Sequence, residues 1–507
     1  MIFVALSEGT VQAFNAKTLE SLWIYRDPLG GQPNSPITVR DGYLYTGFWV
    51  GETSNANYVC LTVTDEDPAV GMEEKSASWY YTQRGGFYWA GAYVGEDYLL
   101  VGTDDGHNGY TSQSSQLLLL DSRTGYLMDS WNGLDADIRS TVCYDAATDA
   151  YYFTSKGGQF YSVQICPDGD GWKFTNQWSV ELGNGTSVTA MSTSTPVVYN
   201  GRAYVGVAGI GQFSDYSGHN ISVIDLNKRS IVYRVQTQGY PQTSGLLTTA
   251  YEEESGYVYV YFFDNATPGK LRVLRDKAGQ TAADYVTAEE DISTPYVLFT
   301  PYGDHAQYAI CSPITDDYGT VYFKNDSAHL MAFGSRIERI ELTQAPTKTV
   351  YYAGESFDPA GMVVTATYAN GMTRDVTQYV TFSDTALALG ESAVTITFPY
   401  VMYHNQDEGS GVTTGGITTT QPTVLVQIQV KEPGEAALGD VNMDGRIDIQ
   451  DANLIASSYN QILVLTAAQL VAADVNGDGA VDISDKNLVS NYYNEQIESF
   501  PAEEKTK

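Results

Sequence analysis

The stretch Asp440–Asp451 reads DVNMDGRIDIQD, and thirty-four residues later Asp474–Asp485 reads DVNGDGAVDISD. Both copies place an oxygen-bearing side chain at positions 1, 3, 5, 9 and 12, and a glycine at position 6. Calcium prefers roughly six to eight hard oxygen ligands, and a twelve-residue loop of this pattern wraps them around one point. Because the two loops repeat in matching register, the sequence predicts two bound calcium ions in this part of the chain.

Each loop position has its own predicted role. Positions 1, 3 and 5 supply side-chain oxygens, position 7 supplies its backbone carbonyl, position 9 acts through water, and position 12 closes the shell. Gly445 and Gly479 permit the sharp turn, and the apolar Ile447 and Val481 are expected to pack the loops on a shared core. The predicted metal-site residues are Asp440, Asn442, Asp444, Arg446, Asp448 and Asp451 in the first copy, and Asp474, Asn476, Asp478, Ala480, Asp482 and Asp485 in the second.

Helices are expected after the loops rather than before them. They are predicted over Asp451–Tyr459 and Asp485–Tyr493, and Thr466–Gln469 forms the capping box of a third. Position 12 is Asp, where an ordinary EF-hand has Glu. These duplicated loop–helix units, joined by LTAAQL, resemble a type I dockerin over 438–499. The resemblance implies calcium-dependent folding and docking to a cohesin domain of a scaffold protein, hence an extracellular, cell-surface or cellulosome-associated location.

Two further positions are implied to contact the partner. In dockerins, loop positions 10 and 11 help to select the cohesin; here they are Ile449 and Gln450, and Ile483 and Ser484. The near match between the copies suggests that either half could face the partner. The alternative is that the two isoleucines are only core residues.

Residues 1–335 repeat a looser pattern, with a spacing of roughly 50 residues between copies. Short alternating strands with Gly/Asp turns are typical of β-propeller blades. The stretches GTVQAFNAKTLESLWIY and SQLLLLDSRTGYLMDSW resemble the quinoprotein-type (PQQ-like) propeller repeat. We expect about seven blades. Because the first copy begins inside its second strand, at Ile2–Leu6, a closing strand and a signal peptide are expected upstream of Met1.

Residues 336–431 have a different pattern, with Val/Thr/Tyr strands every eight to twelve residues, which predicts a small β-sandwich. The stretch Tyr352–Gly371 resembles bacterial Ig-like domains that space modules apart on surface proteins. A spacer role is expected, with binding as the alternative. Within this region, 401–421 reads as a flexible insertion; beyond it, 432–437 reads as a linker and 500–507 as a tail.

Composition excludes several classes of partner. The formal charge is -34, from 27 Lys+Arg against 61 Asp+Glu, which argues against nucleic acid. No run approaches the ~20 apolar residues that span a bilayer, so no membrane insertion is expected. The 39 Tyr and 48 Gly, with little helical periodicity, favour a mainly β protein. Four widely spaced cysteines are expected to be buried free thiols, since no zinc or disulfide pattern is present.

The activity of the propeller is left open. An adjacent Cys-Cys pair, which quinoprotein dehydrogenases place against their cofactor, is missing from the sequence, so no PQQ is expected. A polysaccharide-degrading enzyme, either a glycoside hydrolase or a lyase, is the alternative to a binding module. Asp104, Asp105 and His107 are the nearest thing to a catalytic cluster, but a polar loop explains them equally well, and His219 and His305 stand alone. No catalytic residue is assigned.

The favoured role is recognition of a glycan or a protein during polysaccharide breakdown. Two aromatic stretches, Phe48–Trp49 and Phe87–Trp89, could stack on sugar rings, as aromatic faces do in glycan sites. Packing between blades is the other interpretation. Aromatic side chains exposed at one mouth of the ring would favour binding, whereas a pocket with paired acids would favour an enzyme.

Overall fold

The computed structural model describes the chain except for residues 110–111, 184–189, 210–217, 285–295, 370, 384–385, 400–401, 405–415, 419–420 and 506–507. The chain divides into two compact units, Met1–Phe333 and Gly334–Lys507. Strands dominate both, and longer helices appear only after Asp448 in the described chain, which confirms a mainly β protein. None of the helices in the described ranges is long and apolar enough to cross a membrane.

Seven small sheets follow one another through the described residues of Met1–Phe333. In most of them four antiparallel strands pair in chain order, which is the arrangement of a propeller blade and confirms the prediction of about seven blades. The strands of the first two sheets are β1 (Ile2–Leu6), β2 (Thr10–Phe14), β3 (Ser21–Arg26), β4 (Thr38–Arg40), β5 (Tyr43–Gly47), β6 (Asn55–Thr62), β7 (Glu73–Lys75) and β8 (Trp79–Arg84).

The remaining five sheets follow the same order along the chain. A short helix, α1 (Glu252–Ser255), interrupts the sixth. Their strands are β9 (Tyr93–Val94), β10 (Tyr98–Gly102), β11 (Ser115–Asp121), β12 (Leu127–Leu134), β13 (Cys143–Asp145), β14 (Ala150–Thr154), β15 (Gln159–Asp168), β16 (Gly171–Glu181), β17 (Val197–Tyr199), β18 (Arg202–Val207), β19 (Asn220–Asp225), β20 (Ser230–Gln236), β21 (Leu246–Thr248), β22 (Val258–Phe263), β23 (Leu271–Asp276), β24 (Tyr296–Phe299), β25 (Ile314–Thr315), β26 (Val321–Lys324) and β27 (Leu330–Phe333).

The inner strands of the second to sixth sheets are largely buried on both faces. The four consecutive leucines of β11 show why, because side chains alternate between the two faces of a strand. Leu118 and Leu120 pack against the second sheet, whereas Leu117 and Leu119 pack against the fourth. All four are fully buried. An uninterrupted apolar run therefore indicates a strand that packs against a neighbouring blade on each of its two faces.

The first and last sheets differ from the others. The first contains β1, β2 and β3, and the short β7 adds to it in parallel, pairing Trp23 with Glu73. The seventh has three strands, β25, β26 and β27. Within the described ranges β1 pairs with β2 and β27 pairs with β26, and no pairing joins the two end sheets. The closing strand expected upstream of Met1 stays a prediction.

The four cysteines are free, as expected from their spacing. Cys60 is buried, but Cys143, Cys166 and Cys311 are only partly buried, so the prediction of burial is right for Cys60 alone. Burial raises the pKa of the Cys60 thiol to about 12, so this side chain stays protonated and behaves as a small apolar residue.

The second unit begins with a small β-sandwich. Its core forms because alternate residues of facing strands are apolar, for example Val394 and Ile396 of one strand and Val364 and Ala366 of another. The predicted insertion at 401–421 lies mostly outside the described residues. The strands are β28 (Ile337–Gln344), β29 (Val350–Tyr352), β30 (Val363–Tyr368), β31 (Thr373–Asp375), β32 (Thr381–Phe382), β33 (Ala393–Thr397), β34 (Met402–His404), β35 (Gly416–Thr418), β36 (Thr423–Gln427) and β37 (Gln429–Lys431).

A small helical module follows the sandwich. Its helices are α2 (Ile449–Tyr459), α3 (Ala467–Ala473), α4 (Ile483–Tyr493) and α5 (Pro501–Lys505). Helices α2 and α4 pack together, and Ala452, Ile455 and Val489 are fully buried between the elements of the module. The predicted position of the third helix is confirmed, since Thr466 and Gln469 form its capping box. Ile447 and Val481 pack against the same core, as expected.

The sequence had suggested that the segments on either side of this module are a free linker and a free tail. In the structure, residues of both segments belong to the module. The predicted linker 432–437 contains a turn of 3-10 helix, and Ala436 is buried in the core of the module. The predicted tail starts with Phe500, which is 1 % exposed and stacks on Tyr492 with ring centroids 4.7 Å apart. Burying an aromatic ring in the core of a small domain is more favourable than leaving it exposed to water. The module therefore extends past Ser499.

We predict that Phe500→Ala destabilises the C-terminal module by about 3–5 kcal/mol, because it leaves a cavity in a small core. Ile462→Ala is the matched control, since Ile462 is 76 % exposed and its truncation should change the free energy of unfolding by less than about 0.5 kcal/mol. Scanning calorimetry of the calcium-loaded chain measures both. Equal unfolding transitions for the two variants would contradict the assignment of Phe500 to this core.

Candidate functional site

The first acidic loop is built around the carboxylate of Asp440. One oxygen accepts the backbone N–H of Asp444 at 3.1 Å and the other accepts that of Gly445 at 2.9 Å. The side-chain oxygen of Asn442 also accepts the Asp444 N–H, at 3.0 Å. Gly445 has a φ of 83°, in the left-handed region where a glycine is least strained. Positions 1, 3 and 5 therefore meet at one turn, as the sequence predicted.

Position 12 closes this loop. Asp451 is fully buried, and its two side-chain oxygens accept the N–H groups of Asn442 at 2.9 Å and Asp448 at 2.8 Å. Asp448, at position 9, caps α2 by accepting the Gln450 N–H at 2.7 Å. The cap explains why α2 begins at Ile449, two residues earlier than predicted.

The second loop repeats this network almost bond for bond. Asp474 accepts the N–H groups of Asp478 at 3.1 Å and Gly479 at 3.0 Å. Asp485 accepts those of Asn476 at 3.2 Å and Asp482 at 3.0 Å, and Asp482 caps α4. A duplicated sequence thus folds into a duplicated loop.

Position 7 differs in residue type between the copies without changing the loop. The backbone N–H groups of Arg446 and Ala480 donate to Asp444 and Asp478 respectively, both at 2.9 Å, while both residues are exposed. Only the main chain at this position takes part in the loop, as expected for a backbone-carbonyl ligand.

The loops suit a hard divalent cation. None of the ion pairs found among the described residues includes a loop carboxylate. Burial raises the pKa of the Asp440 and Asp485 carboxyl groups, so the backbone N–H groups that bond to them compensate their ionised forms only in part. Side-chain carboxylates, an amide and a backbone carbonyl are the donor set that calcium prefers over softer metals.

The predicted partner residues are on the surface. Ile449 is 47 % exposed and Ile483 is 45 % exposed, at the first turns of α2 and α4, so the alternative that they are core residues is wrong. Gln450 and Ser484 beside them are exposed too. Sequence reasoning missed Tyr459 and Tyr493, which are again thirty-four residues apart and are 53 % and 48 % exposed. The 34-residue offset alone could have identified this second pair.

In the propeller, the stretch that contains Asp104, Asp105 and His107 forms a structural cluster. Asp104 is buried and receives the guanidinium of Arg139, with a closest approach of 2.6 Å. Asp105 is buried and donates its N–H to Asp137, while His107 is exposed and contacts the backbone of its own loop. The polar-loop interpretation accounts for all three residues.

Arg139 holds this cluster together. Its guanidinium lies 3.0 Å from both Glu52 and Asp137, in addition to Asp104. These three acids are the described residues whose carboxylate oxygens all lie within 4.8 Å of one another, and the guanidinium already supplies the positive charge that a metal would supply. Lys156 adds a contact of 3.4 Å to Asp137, and burial lowers its pKa to about 8.

The aromatic residues singled out from the sequence divide into two groups. Phe48 and Phe87 are fully buried between blades, where packing explains them. Trp49, Tyr88 and Trp89 line a cavity of about 680 Å³ together with Arg139, Lys156, His219 and other polar side chains. His305 is outside this lining, and it is not isolated, because its ring lies 4.5 Å from that of His329.

These observations define the C-terminal module as a duplicated calcium-loop domain with an exposed apolar residue at the start of each loop helix. The family model described as Dockerin type I domain matches residues 438–494, and the model described as Bacterial Ig-like domain (group 3) matches residues 344–401. The chain therefore carries a type I dockerin behind a bacterial Ig-like domain. Type I dockerins bind calcium, and their presence implies a cohesin partner.

Other comparisons add little. No curated protein matches the chain. Among solved structures, BamB from Moraxella catarrhalis has 12% sequence identity and a TM-score of 0.36, covering 74% of this chain and 92% of its own. The WD40 β-propeller domain of Doa1 has 10% identity and a TM-score of 0.39, covering 65% and 88%. At these scores the propeller fold rests on the sheets described above.

We predict that Arg139→Met destabilises the propeller by about 3–5 kcal/mol, because Asp104 and Asp137 stay buried without their cation. Lys173→Met is the matched control; Lys173 and Asp168 are 49% and 59% exposed, so losing their ion pair should leave the free energy of unfolding almost unchanged. Urea unfolding followed by tryptophan fluorescence compares the two variants. A loss no larger in Arg139→Met than in the control would show that the cluster does not stabilise the fold.

Proposed function

We propose that this protein is an extracellular component of a cellulosome-type assembly, attached by its dockerin to a cohesin domain of a scaffold protein. The repeated hydrogen-bond network of the two acidic loops, with Ile449 and Ile483 exposed just beyond them, carries this proposal. The same surface thus occurs twice in one small module, each time at the first turn of a helix.

Calcium joins folding to docking in this proposal. The predicted site in the first loop consists of Asp440, Asn442, Asp444, the carbonyl of Arg446 and Asp451, with Asp448 acting through water. The second consists of Asp474, Asn476, Asp478, the carbonyl of Ala480 and Asp485, with Asp482 acting through water. Bound calcium would supply the positive charge that the loop carboxylates lack, and the backbone N–H groups hold these oxygens in place. Each loop then orients the first turn of α2 or α4.

We predict that the full chain, stripped of metal and titrated by calorimetry, binds two more calcium ions than the double variant Asp451→Asn/Asp485→Asn. Each single variant should bind one ion fewer or bind it at least about tenfold more weakly. Losing a metal ligand should reduce calcium affinity at least as much as losing a hydrogen-bond partner of a ligand.

Glu498→Gln is the control for this titration, because it removes an exposed acid outside the loops. Its calcium stoichiometry should equal that of the wild type. Equal stoichiometry in the wild type and the double variant would exclude the two-ion assignment.

The docking surface is proposed to consist of Ile449 and Gln450, or equally of Ile483 and Ser484. An exposed isoleucine on a rigid helix terminus has the character of an interface anchor, which loses water on binding at little entropic cost. If either half can dock, a single substitution leaves the second half intact. Tyr459 and Tyr493 at the other ends of the same helices extend each half.

We predict that Ile449→Asp and Ile483→Asp each weaken binding to a cognate type I cohesin by about twofold, since one of two equivalent orientations is lost. The double variant should weaken binding by at least about thirtyfold, the loss expected for an interface hot spot. Leu425→Asp is the control, because Leu425 is 53% exposed in the Ig-like domain. Surface plasmon resonance against a panel of cohesins measures all four; unchanged affinity of the double variant would remove this surface from the interface.

Roles are also proposed for the two remaining modules, the Ig-like domain and the propeller. The Ig-like domain is proposed as a spacer. The propeller is proposed to recognise a glycan or a protein during polysaccharide breakdown, because its cavity combines Trp49, Tyr88 and Trp89 with polar side chains. A polysaccharide-degrading enzyme is the second candidate, which the same concave cavity allows.

A further inference from the structure

One cavity in the described part of the propeller has the size of a ligand site. Its volume is about 680 Å³, within the range of small-molecule pockets. Its walls come from the chain segments that follow β5, β8, β12, β14, β16, β18, β20, β22 and β24, and thus from several blades. A cavity of this size suits a short segment of a polysaccharide better than the broad surface of a folded protein.

One wall of the cavity is aromatic. The rings of Trp49 and Tyr88 have centroids 4.8 Å apart, and Tyr88 and Trp89 are stacked at 4.6 Å with an interplanar angle of 22°. Trp89 has a φ of 60°, in the left-handed region that bulky side chains rarely adopt. Strain of this kind persists where the surroundings impose it, and it accumulates at ligand sites. Here it accompanies the placement of an indole ring on the cavity wall.

The charges of the cavity are internally balanced. Arg139 is bonded to Glu52 and Asp104, and its guanidinium lies 4.5 Å from the centre of the Tyr88 ring. Lys156 contacts Asp137. Because both lining cations already face carboxylates, the cavity offers no surplus positive charge to a uronic acid. It therefore suits an uncharged ligand better than an anionic one.

Several polar atoms of the lining residues have no hydrogen-bond partner among the described residues. They are the indole N–H of Trp49, the Nδ1 of His219 and the side-chain oxygen of Asn265. Buried polar groups are normally paired, so unpaired ones at a cavity wall indicate a polar ligand or ordered water. A molecule rich in hydroxyl groups can both donate to and accept from such atoms.

Among the described residues of its lining, the cavity shows no pair of carboxylates of the kind that glycoside hydrolysis requires. Glu52 is the single acid among its lining residues, and it is already ion-paired with Arg139. A hydrolase places two carboxylates on either side of the scissile bond. The lining thus favours binding over cleavage.

We propose that this cavity is a subsite for a neutral polysaccharide, in which a sugar ring stacks on Trp89 and Trp49 and its hydroxyl groups bond to the polar wall. The proposal rests on the proposed glycan-binding role of the propeller and names its ligand class and its residues. The Arg139 cluster acts as the rigid floor that holds Tyr88 and Glu52 in place.

The test uses calorimetric titration of the full chain with cellohexaose, xylohexaose and mannohexaose, and with oligogalacturonate as an anionic probe. At least one neutral oligosaccharide should bind, and Trp89→Ala should weaken its binding about tenfold or more through the loss of stacking. Trp49→Ala provides a second variant in case Trp89→Ala does not fold. Tyr126→Ala, which truncates an aromatic ring that is 71% exposed outside the cavity lining, should bind like the wild type.

The outcomes separate this subsite from the broader function. Failure of all neutral probes to bind, or tighter binding of oligogalacturonate, would overturn the proposed subsite. Binding of a neutral probe that both tryptophan variants retain would place glycan recognition elsewhere on the chain, which overturns the subsite but not the glycan-binding role. Cohesin affinity, measured on the same variants, should remain unchanged and tests the docking function independently.

Discussion

Burial of the inner strands of the second to sixth propeller sheets on both faces is the constraint on which the larger unit depends. Leu117–Leu120 divide between two neighbouring cores, so β11 has no polar face to give to water. Many polar and charged residues of the propeller accordingly lie in the segments between strands. There they converge from several blades on one cavity, where Arg139 meets Glu52, Asp104 and Asp137. The chemical character of the propeller is thus a consequence of how its strands are packed.

The protein gathers carboxylates in two places and stabilises them in different ways. In the propeller, a guanidinium with several donors in a fixed plane compensates Asp104 and Asp137 without any added ion. In the dockerin, backbone N–H groups orient Asp440 and Asp451 but bring no full positive charge. The first arrangement is complete within the chain and serves the fold. We propose that a bound cation completes the second arrangement, which would link folding to the calcium concentration of the surroundings.

The backbone of the two acidic loops could be predicted closely because the proposed calcium ligands lie within twelve consecutive residues and bond to the backbone of their own loop. The errors at their borders have simple physical causes. Because Asp448 and Asp482 cap the loop helices, both helices begin two residues earlier than predicted. Phe500 joins the core because a small module gains much from one more ring, and no local pattern indicates which apolar residue near a terminus will do so.

The mainly β character, the blade repeat and the two acidic loops follow from local features of the chain, since each depends on periodicity or on oxygen-bearing residues within one short loop. Which of the aromatic and acidic residues share a site depends on the tertiary packing. Phe48 and Trp49 are neighbours in sequence, yet one is buried between blades and the other lines the cavity, because adjacent side chains point in different directions. Asp104 and Arg139 meet across thirty-five residues, and such a contact depends on how the blades pack rather than on any local preference of the chain.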